Sequence, residues 1–287
     1  MIRSRPAAAR WSETAAPPHP LSWPRLLGQV GLALLCAVAV AFATLPVVAL
    51  LLRVPLSDLA RYLGDPVVLD ALRLSLLSSL CSLGLMIGFG TPLAYALARR
   101  RFPARRVVEV LVELPIVLPP AVAGVALLFT FGRRGLLGPL LDTLDIDIAF
   151  QFAAVVLAQT FVAAPFYLKA ARIAFGGVPG ELLDVAATEG ANRAQIFRHI
   201  LLPLALPGLL GGAVMGWARA LGEFGATILF AGNFAGRTQT LPLAIYLALE
   251  SDLNRTVVLA AILVLFSFTL LLAFKLLGGR RLDPLPD

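Results

Sequence analysis

Arg219 and Glu223 stand four residues apart within the apolar run from Ile200 to Phe230. That spacing puts both side chains on one face of a helix. Counted from Pro203 at about 1.5 Å per residue, they fall roughly 24 and 30 Å along it. Ionisable groups deep in an apolar span are a functional hypothesis by default; the plainer reading is a neutralised pair that locks helix packing. Other reactive groups are scarce. The histidines are His19 and His199, and no Cys/His/Glu cluster has metal-ligand spacing. Cys36 and Cys81 read as small packing residues. No Gly-x4-Gly-Lys-[Ser/Thr] loop occurs to cradle ATP phosphates, so no nucleotide site is expected in this chain. The densest charge lies in ELLDVAATEGANRAQIFRHILLP (181–203), where Glu181, Asp184, Glu189, Arg193, Arg198 and His199 separate two apolar runs.

The elements that must carry these residues are membrane helices. Of 287 residues only 14% are charged, and the mean hydropathy is +0.87; globular proteins carry about 25% charged residues. Charge-free windows of 27, 25, 19, 21 and 19 residues follow Arg25, Arg73, Glu113, Asp147 and Arg255. A helix crosses ~30 Å of hydrocarbon with about 20 apolar residues, so these five windows qualify. The run 200–230 makes a sixth if Arg219 and Glu223 can be accommodated. Continuous apolar runs argue against strand barrels. The expected spans are about 29–52, 70–98, 107–131, 148–169, 203–230 and 256–277. The expected fold is therefore an all-α polytopic bundle of about six spans.

With the N-terminus in the cytoplasm, the inside segments hold 16 Lys and Arg and the outside segments 6. This bias obeys the positive-inside rule with both termini cytoplasmic. The net charge of +7 then reflects topology, and no nucleic-acid partner is expected. Residues 1–27 read as a disordered cytoplasmic tail, 28–278 as the membrane domain with a cytoplasmic loop at 176–203, and 279–287 as a cytoplasmic C-terminal tail. The first apolar run continues past Ala41-Phe42-Ala43 to Leu52, which favours a retained helix over a cleaved signal peptide. Pro46, Pro92, Pro115, Pro119, Pro120, Pro165 and Pro207 fall inside spans, where neighbouring helices or a wet cavity must satisfy the freed carbonyls. ELPIVLPPAVAG (113–124) reads either as a kinked packing helix or as a bent helix lining a pathway. The loop after 131 reads as a turn followed by a short apolar stretch. The loop after 230 is too long for a plain turn, and its apolar half reads as a re-entrant or surface helix.

Within 181–203, Pro179-Gly180 ends one helix and Glu181 opens another with acid in its first turn, where the helix dipole favours it. Leu182, Leu183 and Ala186 group on one side, and Gly190 is a stop or a point of close approach. A surface helix with a small apolar face among acids suits a groove on another protein; a lipid-lying loop would favour Lys and Arg instead. Asp184-Val185-Ala186, three residues, Gly190, nine residues, Ile200, one residue, Leu202-Pro203 resembles the EAA loop of ABC-importer permeases. Asp184 stands there for Glu, and Val185 for Ala. The resemblance implies that this helix seats in a cleft of a cytoplasmic ABC ATPase and transmits its closing motion, with Glu181 among the contact residues.

ARALGEFGATILFAGNFAGRTQTLPLAIY (218–246), LPIVLPPAVAG (114–124) and FGRRGLLG (131–138) are similar to the molybdate-transporter permeases. The likeness implies a type I ABC-importer permease fold, working as a homodimer in the inner membrane with a partner ATPase that holds ATP-Mg. It also implies an extracytoplasmic molybdate-binding protein and transport by alternating access, with no cofactor in this chain. A strong cationic site would trap a dianion, whereas hydroxyl and amide donors let it pass. Gly222, Gly225, Thr227, Asn233, Thr238, Gln239 and Thr240 supply small surfaces and donors, so 219–240 is read as an outer gate beside Pro119 and Pro120. The Arg219–Glu223 pair is read as structural, and Arg237 as a solvated loop charge. A sulfate or thiosulfate permease is the neighbouring alternative. An ion-coupled secondary transporter would show internal repeats and buried coupling acids; no clear repeat is seen.

Overall fold

The computed structural model describes residues 23–55, 57 and 59–279, and every regular element among them is helical. The chain divides into two units, 1–49 and 50–287. The first is carried by helix α1 (Trp23–Leu52), which holds Pro46 internally and returns the Thr44 hydroxyl to the Val40 carbonyl at 2.8 Å. It starts at Trp23, ahead of the expected 29; residues 1–22 of the N-terminal tail and 280–287 of the C-terminal tail lie outside the described residues.

The second unit comprises α2 (Leu59–Leu63), α3 (Pro66–Arg99), α4 (Arg105–Val117), α5 (Pro120–Phe131), α6 (Gly138–Thr143) and α7 (Phe152–Gly177). It continues with α8 (Gly180–Thr188), α9 (Arg193–Ile196), a π turn at Phe197–Leu201, α10 (Leu202–Leu221), α11 (Gly225–Phe230), α12 (Leu241–Leu249) and α13 (Leu253–Gly279). Five stretches are long and apolar enough to cross a membrane: Gln29–Leu52, Pro66–Arg99, Phe152–Gly177, Arg193–Leu221 and Leu253–Ala273. Helices α4 and α5 meet at 118° and supply a sixth crossing only when taken together.

Two expected spans need correction. The third is not one helix over 107–131 but breaks at Leu118 and Pro119, both extended. Pro119 and Pro120 cannot donate backbone bonds, and each biases its preceding residue away from helical angles. The fifth does not run to Phe230: α10 ends at Leu221 and Gly222–Phe224 intervene before α11. The long loop after it contains α12, a nine-residue helix that buries Leu241, Leu243, Ala244 and Ala248 rather than lying on the surface.

Helices α3 and α7 run parallel in steady register. Thr160 donates to Ser82 at 3.0 Å, Thr91 and Tyr167 hydroxyls meet at 2.5 Å, and the Arg99 guanidinium donates to the Val178 carbonyl. Ser75, Ser78, Ser79 and Ser82 form a buried stripe on α3 at helical spacing. Its hydroxyls receive the Leu241 N–H at 2.7 Å, the Trp217 indole at 2.9 Å and Thr160, joining α12, α10 and α7 to one helix. In hydrocarbon such bonds average about 0.6 kcal/mol each.

Helix α10 runs antiparallel to α7, and Gly208, Gly212 and Gly216 make the close approach possible. A Cβ built on Gly208 would sit 2.6 Å from the Ala174 Cβ, and one on Gly212 2.7 Å from that of Ala170. Small residues at four-residue spacing let membrane helices pack by van der Waals contact, where lipid gives no hydrophobic drive. Gly212→Leu is therefore expected to force α10 and α7 apart and cost about 1–3 kcal/mol, read as a lower melting temperature of the purified protein; an unchanged value would disprove this packing.

Candidate functional site

At the end of the bundle where α3 and α7 finish, α8 projects with Glu181, Leu182, Asp184, Val185 and Glu189 exposed. Its apolar residues do not form the single face expected. Leu183 turns inward onto the core around Phe175 and Leu201, whereas Leu182 and Val185 are 47% and 61% exposed. Val185 thus joins Leu182 as an outward apolar contact, and Ala186 is half-buried. Gly190 is a stop and not a point of close approach. It has φ +87, the Ala191 N–H reaches the Ala186 carbonyl at 3.0 Å, and the Gly190 N–H reaches that of Ala187 at 3.1 Å. These two bonds form a Schellman closure, which needs a left-handed residue at this position. Asn192 then opens α9 through a capping box with Gln195. Ile200 and Leu202 are half-buried, Leu202 against the inner core, and Pro203 is exposed.

The segment is anchored from behind. Arg99 at the end of α3 holds the carbonyl of Val178, the residue that closes α7 just before α8. Arg172 on α7 pairs with Glu109 on α4. Tyr95, Phe175 and Phe197 pack edge-on and tilted, with centroids 5.3 to 6.3 Å apart, tying the π turn to α3 and α7.

Of the predicted gate residues, Arg219, Glu223 and Gly225 meet Pro120 at the α10–α11 break, and Asn233, Thr238, Gln239 and Thr240 follow α11. Arg219 and Glu223 pair at 2.7 Å, although Glu223 stands beyond the end of α10 rather than on its face. Glu223 is 1% exposed, and its second oxygen accepts the Ala226 N–H at 2.8 Å, so the same carboxylate caps α11. Gly225 lies against Pro120, where an added Cβ would sit 2.7 Å from the proline ring; Pro119 is exposed. Phe224 meets Tyr246 of α12 with centroids 5.2 Å apart.

The polar residues after α11 are largely engaged within their own loop and with α12. Gln239 donates to Asn233 at 2.9 Å, Asn233 donates to the Leu243 carbonyl at 3.2 Å, and Thr238 accepts the Phe234 N–H at 3.1 Å. The hydroxyls of Thr227 and Thr240 are buried without a partner. Arg237 is exposed but not merely solvated: it donates to Gln151 at 3.0 Å. It borders a cleft of about 290 Å³ with the Arg133–Asp147 pair, which closes at 2.8 Å. The hydrogen bond from Arg133 holds the Asp147 carboxyl below its ordinary range.

Sequence reasoning passed over two features. The serine stripe was visible as Ser75-x2-Ser78-Ser79-x2-Ser82. Gln159, fully buried on α7 with both amide atoms unpartnered, was visible as a polar residue inside a charge-free window. Among the described residues no group of three or more His, Cys, Asp or Glu could hold a metal ion.

Residues 84–281 match the family model described as "Binding-protein-dependent transport system inner membrane component". The chain is 43% identical over 225 residues to the molybdenum transport system permease protein ModB of Mycobacterium tuberculosis, covering 78% of this chain and 85% of that protein. To ModB of Escherichia coli K12 it is 42% identical over 193 residues, covering 66% and 82%. A bacterial ABC transporter structure, described as involved in import of the acidic polysaccharide alginate, shares the fold with a TM-score of 0.66. It is 17% identical and covers 91% of this chain and 99% of that one. The fold is the all-α type I importer-permease class expected above. With more than two thirds of its length matched, this multi-pass chain belongs to the family of binding-protein-dependent transport system inner membrane components.

Proposed function

We propose that the chain is the membrane subunit of an ATP-driven importer that carries molybdate or tungstate into the cytoplasm by alternating access. The observation that carries the coupling half of this reading is α8: it offers Leu182 and Val185 between exposed acids and is ended by a left-handed glycine. A helix of this kind fits a groove on a partner. The ModB names of relatives at 43% and 42% identity support the oxyanion. Each chain has one such helix among its described residues, so two copies serve an ATPase pair, which holds ATP-Mg; this chain hydrolyses nothing. A binding protein delivers the ion from outside, and both termini lie in the cytoplasm, in keeping with the basic bias. ATP binding draws the two α8 helices together. That motion passes through α7 and Arg99 and rearranges the α10–α11 break. In the loop after α11, Asn233, Thr238 and Gln239 exchange the hydrogen bonds they make within that loop and to α12 for weak contacts with the passing oxyanion.

The test is ATP hydrolysis in proteoliposomes holding this subunit and its ATPase, with binding protein loaded with molybdate, tungstate, sulfate or nothing. Several-fold stimulation by the first two and none by sulfate is expected. Stimulation by sulfate alone would move the substrate and keep the coupling. No stimulation by any would reject the coupling reading.

A further inference from the structure

We propose that the turn between α3 and α4 binds the headgroup of an anionic phospholipid. The inference rests on the chain being an inner membrane component and not on which ion it carries. Five of the eight residues 99–106 are arginines: Arg99, Arg100, Arg101, Arg105 and Arg106. Two are spent within the protein. Arg99 donates to the Val178 carbonyl, and the Arg100 guanidinium lies 6.0 Å from the Tyr95 ring centroid. The other three form no ion pair with a carboxylate among the described residues, and all three line one open groove of about 330 Å³ with Phe102 and Ala104. Ala104, at φ 61, turns the chain so that Arg101 faces the same groove as Arg105 and Arg106. The positive-inside rule accounts for arginines at this end; it does not account for three unpaired ones converging on a concavity.

What lies beside the groove selects the ligand. Val107, Val110, Leu111, Leu114 and Val117 are 46% to 82% exposed. Their spacing of three and four residues makes one stripe along α4, leading away from the arginines. The opposite face of α4 carries the Glu109–Arg172 pair and Val112 against the core, with Ile116 41% exposed near its far end. Arginine forks match phosphate oxygens, and basic clusters flanking a membrane helix attract anionic lipid. An anionic group joined to a long apolar tail fills both groove and stripe. Free phosphate would use only the groove, and an acidic soluble partner would leave the stripe uncovered.

The experiment uses the complete importer in nanodiscs of phosphatidylethanolamine and phosphatidylglycerol, followed by detergent extraction and native mass spectrometry. Phosphatidylglycerol is expected to stay on the wild type, and Arg101→Gln/Arg105→Gln/Arg106→Gln to lose at least about 10-fold of it. Arg193→Gln, an exposed arginine at the same end, is expected to keep it, and excess inorganic phosphate to displace none. Equal retention by the triple variant, or equal loss by Arg193→Gln, would overturn the site. Displacement by phosphate would make it a free-anion site. Should the triple variant fail to insert, a photoreactive phosphatidylglycerol on the wild type decides. Labelling within 101–117 supports the site, and labelling elsewhere or nowhere refutes it.

Discussion

Glu223→Ala is expected to destabilise the protein by about 3–5 kcal/mol and to abolish import. The carboxylate is 1% exposed, pairs with Arg219 at 2.7 Å and caps the Ala226 N–H at 2.8 Å. Removing it leaves the half-buried Arg219 guanidinium without its partner and frees the Ala226 backbone donor, and breaking one side of such a pair costs more than the intact pair contributes. Glu223→Gln keeps an acceptor for Ala226 and should fall between the two in thermal denaturation. Removing both charges separates structure from substrate recognition. If the pair is only a lock, Arg219→Leu/Glu223→Gln, which keeps an acceptor for Ala226, regains most of the lost stability and measurable uptake. If Arg219 touches the ion, the double variant regains stability without uptake. A wild-type melting temperature for Glu223→Ala would contradict the buried pair itself.

Gly190→Arg is expected to cut uptake at least about 10-fold while the protein still inserts and dimerises. A side chain at φ +87 costs roughly 1–2 kcal/mol, which the membrane bundle tolerates. Nothing lies within 4 Å of an added Cβ, so the fold presents no clash. The damage is at the protein surface: α8 loses its closure and gains a bulky cation beside the exposed acids of the proposed docking face. Gly190→Asn, which adopts left-handed angles more readily, should keep most uptake. Equal loss in both variants would mean that the partner senses backbone conformation rather than bulk, and full uptake by Gly190→Arg would refute docking through α8.

The third and fifth spans show where a linear reading stops. A charge-free window located the third and an apolar run holding one Arg and one Glu the fifth, because an apolar run of about 20 residues has few other uses. The prolines at 119 and 120 were equally visible, yet a kink and a 118° break look alike in sequence. Their difference depends on what receives α5, and that is α11, with Gly225 against Pro120. Arg219 and Glu223 were likewise paired by spacing alone. The helix ends between them, however, and the carboxylate has a second task as a cap that no spacing rule contains. In α8 the apolar residues were identified but their division was not. Leu183 turns inward and Val185 outward because α8 rests on the π turn and the core around Phe175.

By itself the sequence determined the quantities that follow from local composition. These are the membrane class, the positions of the apolar runs, the acidic segment between two of them and the glycine that ends its helix. Each depends on one stretch of chain meeting lipid or water. Only the tertiary structure decided which polar groups are free. Asn233, Thr238 and Gln239 looked like available groups, yet Gln239 is bonded to Asn233, Asn233 to the Leu243 carbonyl and Thr238 to the Phe234 N–H, whereas Gln159, Thr227 and Thr240 are buried with side-chain groups unpaired. A hydrogen bond or an approach of two helices joins residues far apart in the chain. Whether a side chain is spent or available is therefore a property of its neighbours in space, and sequence order alone does not contain it.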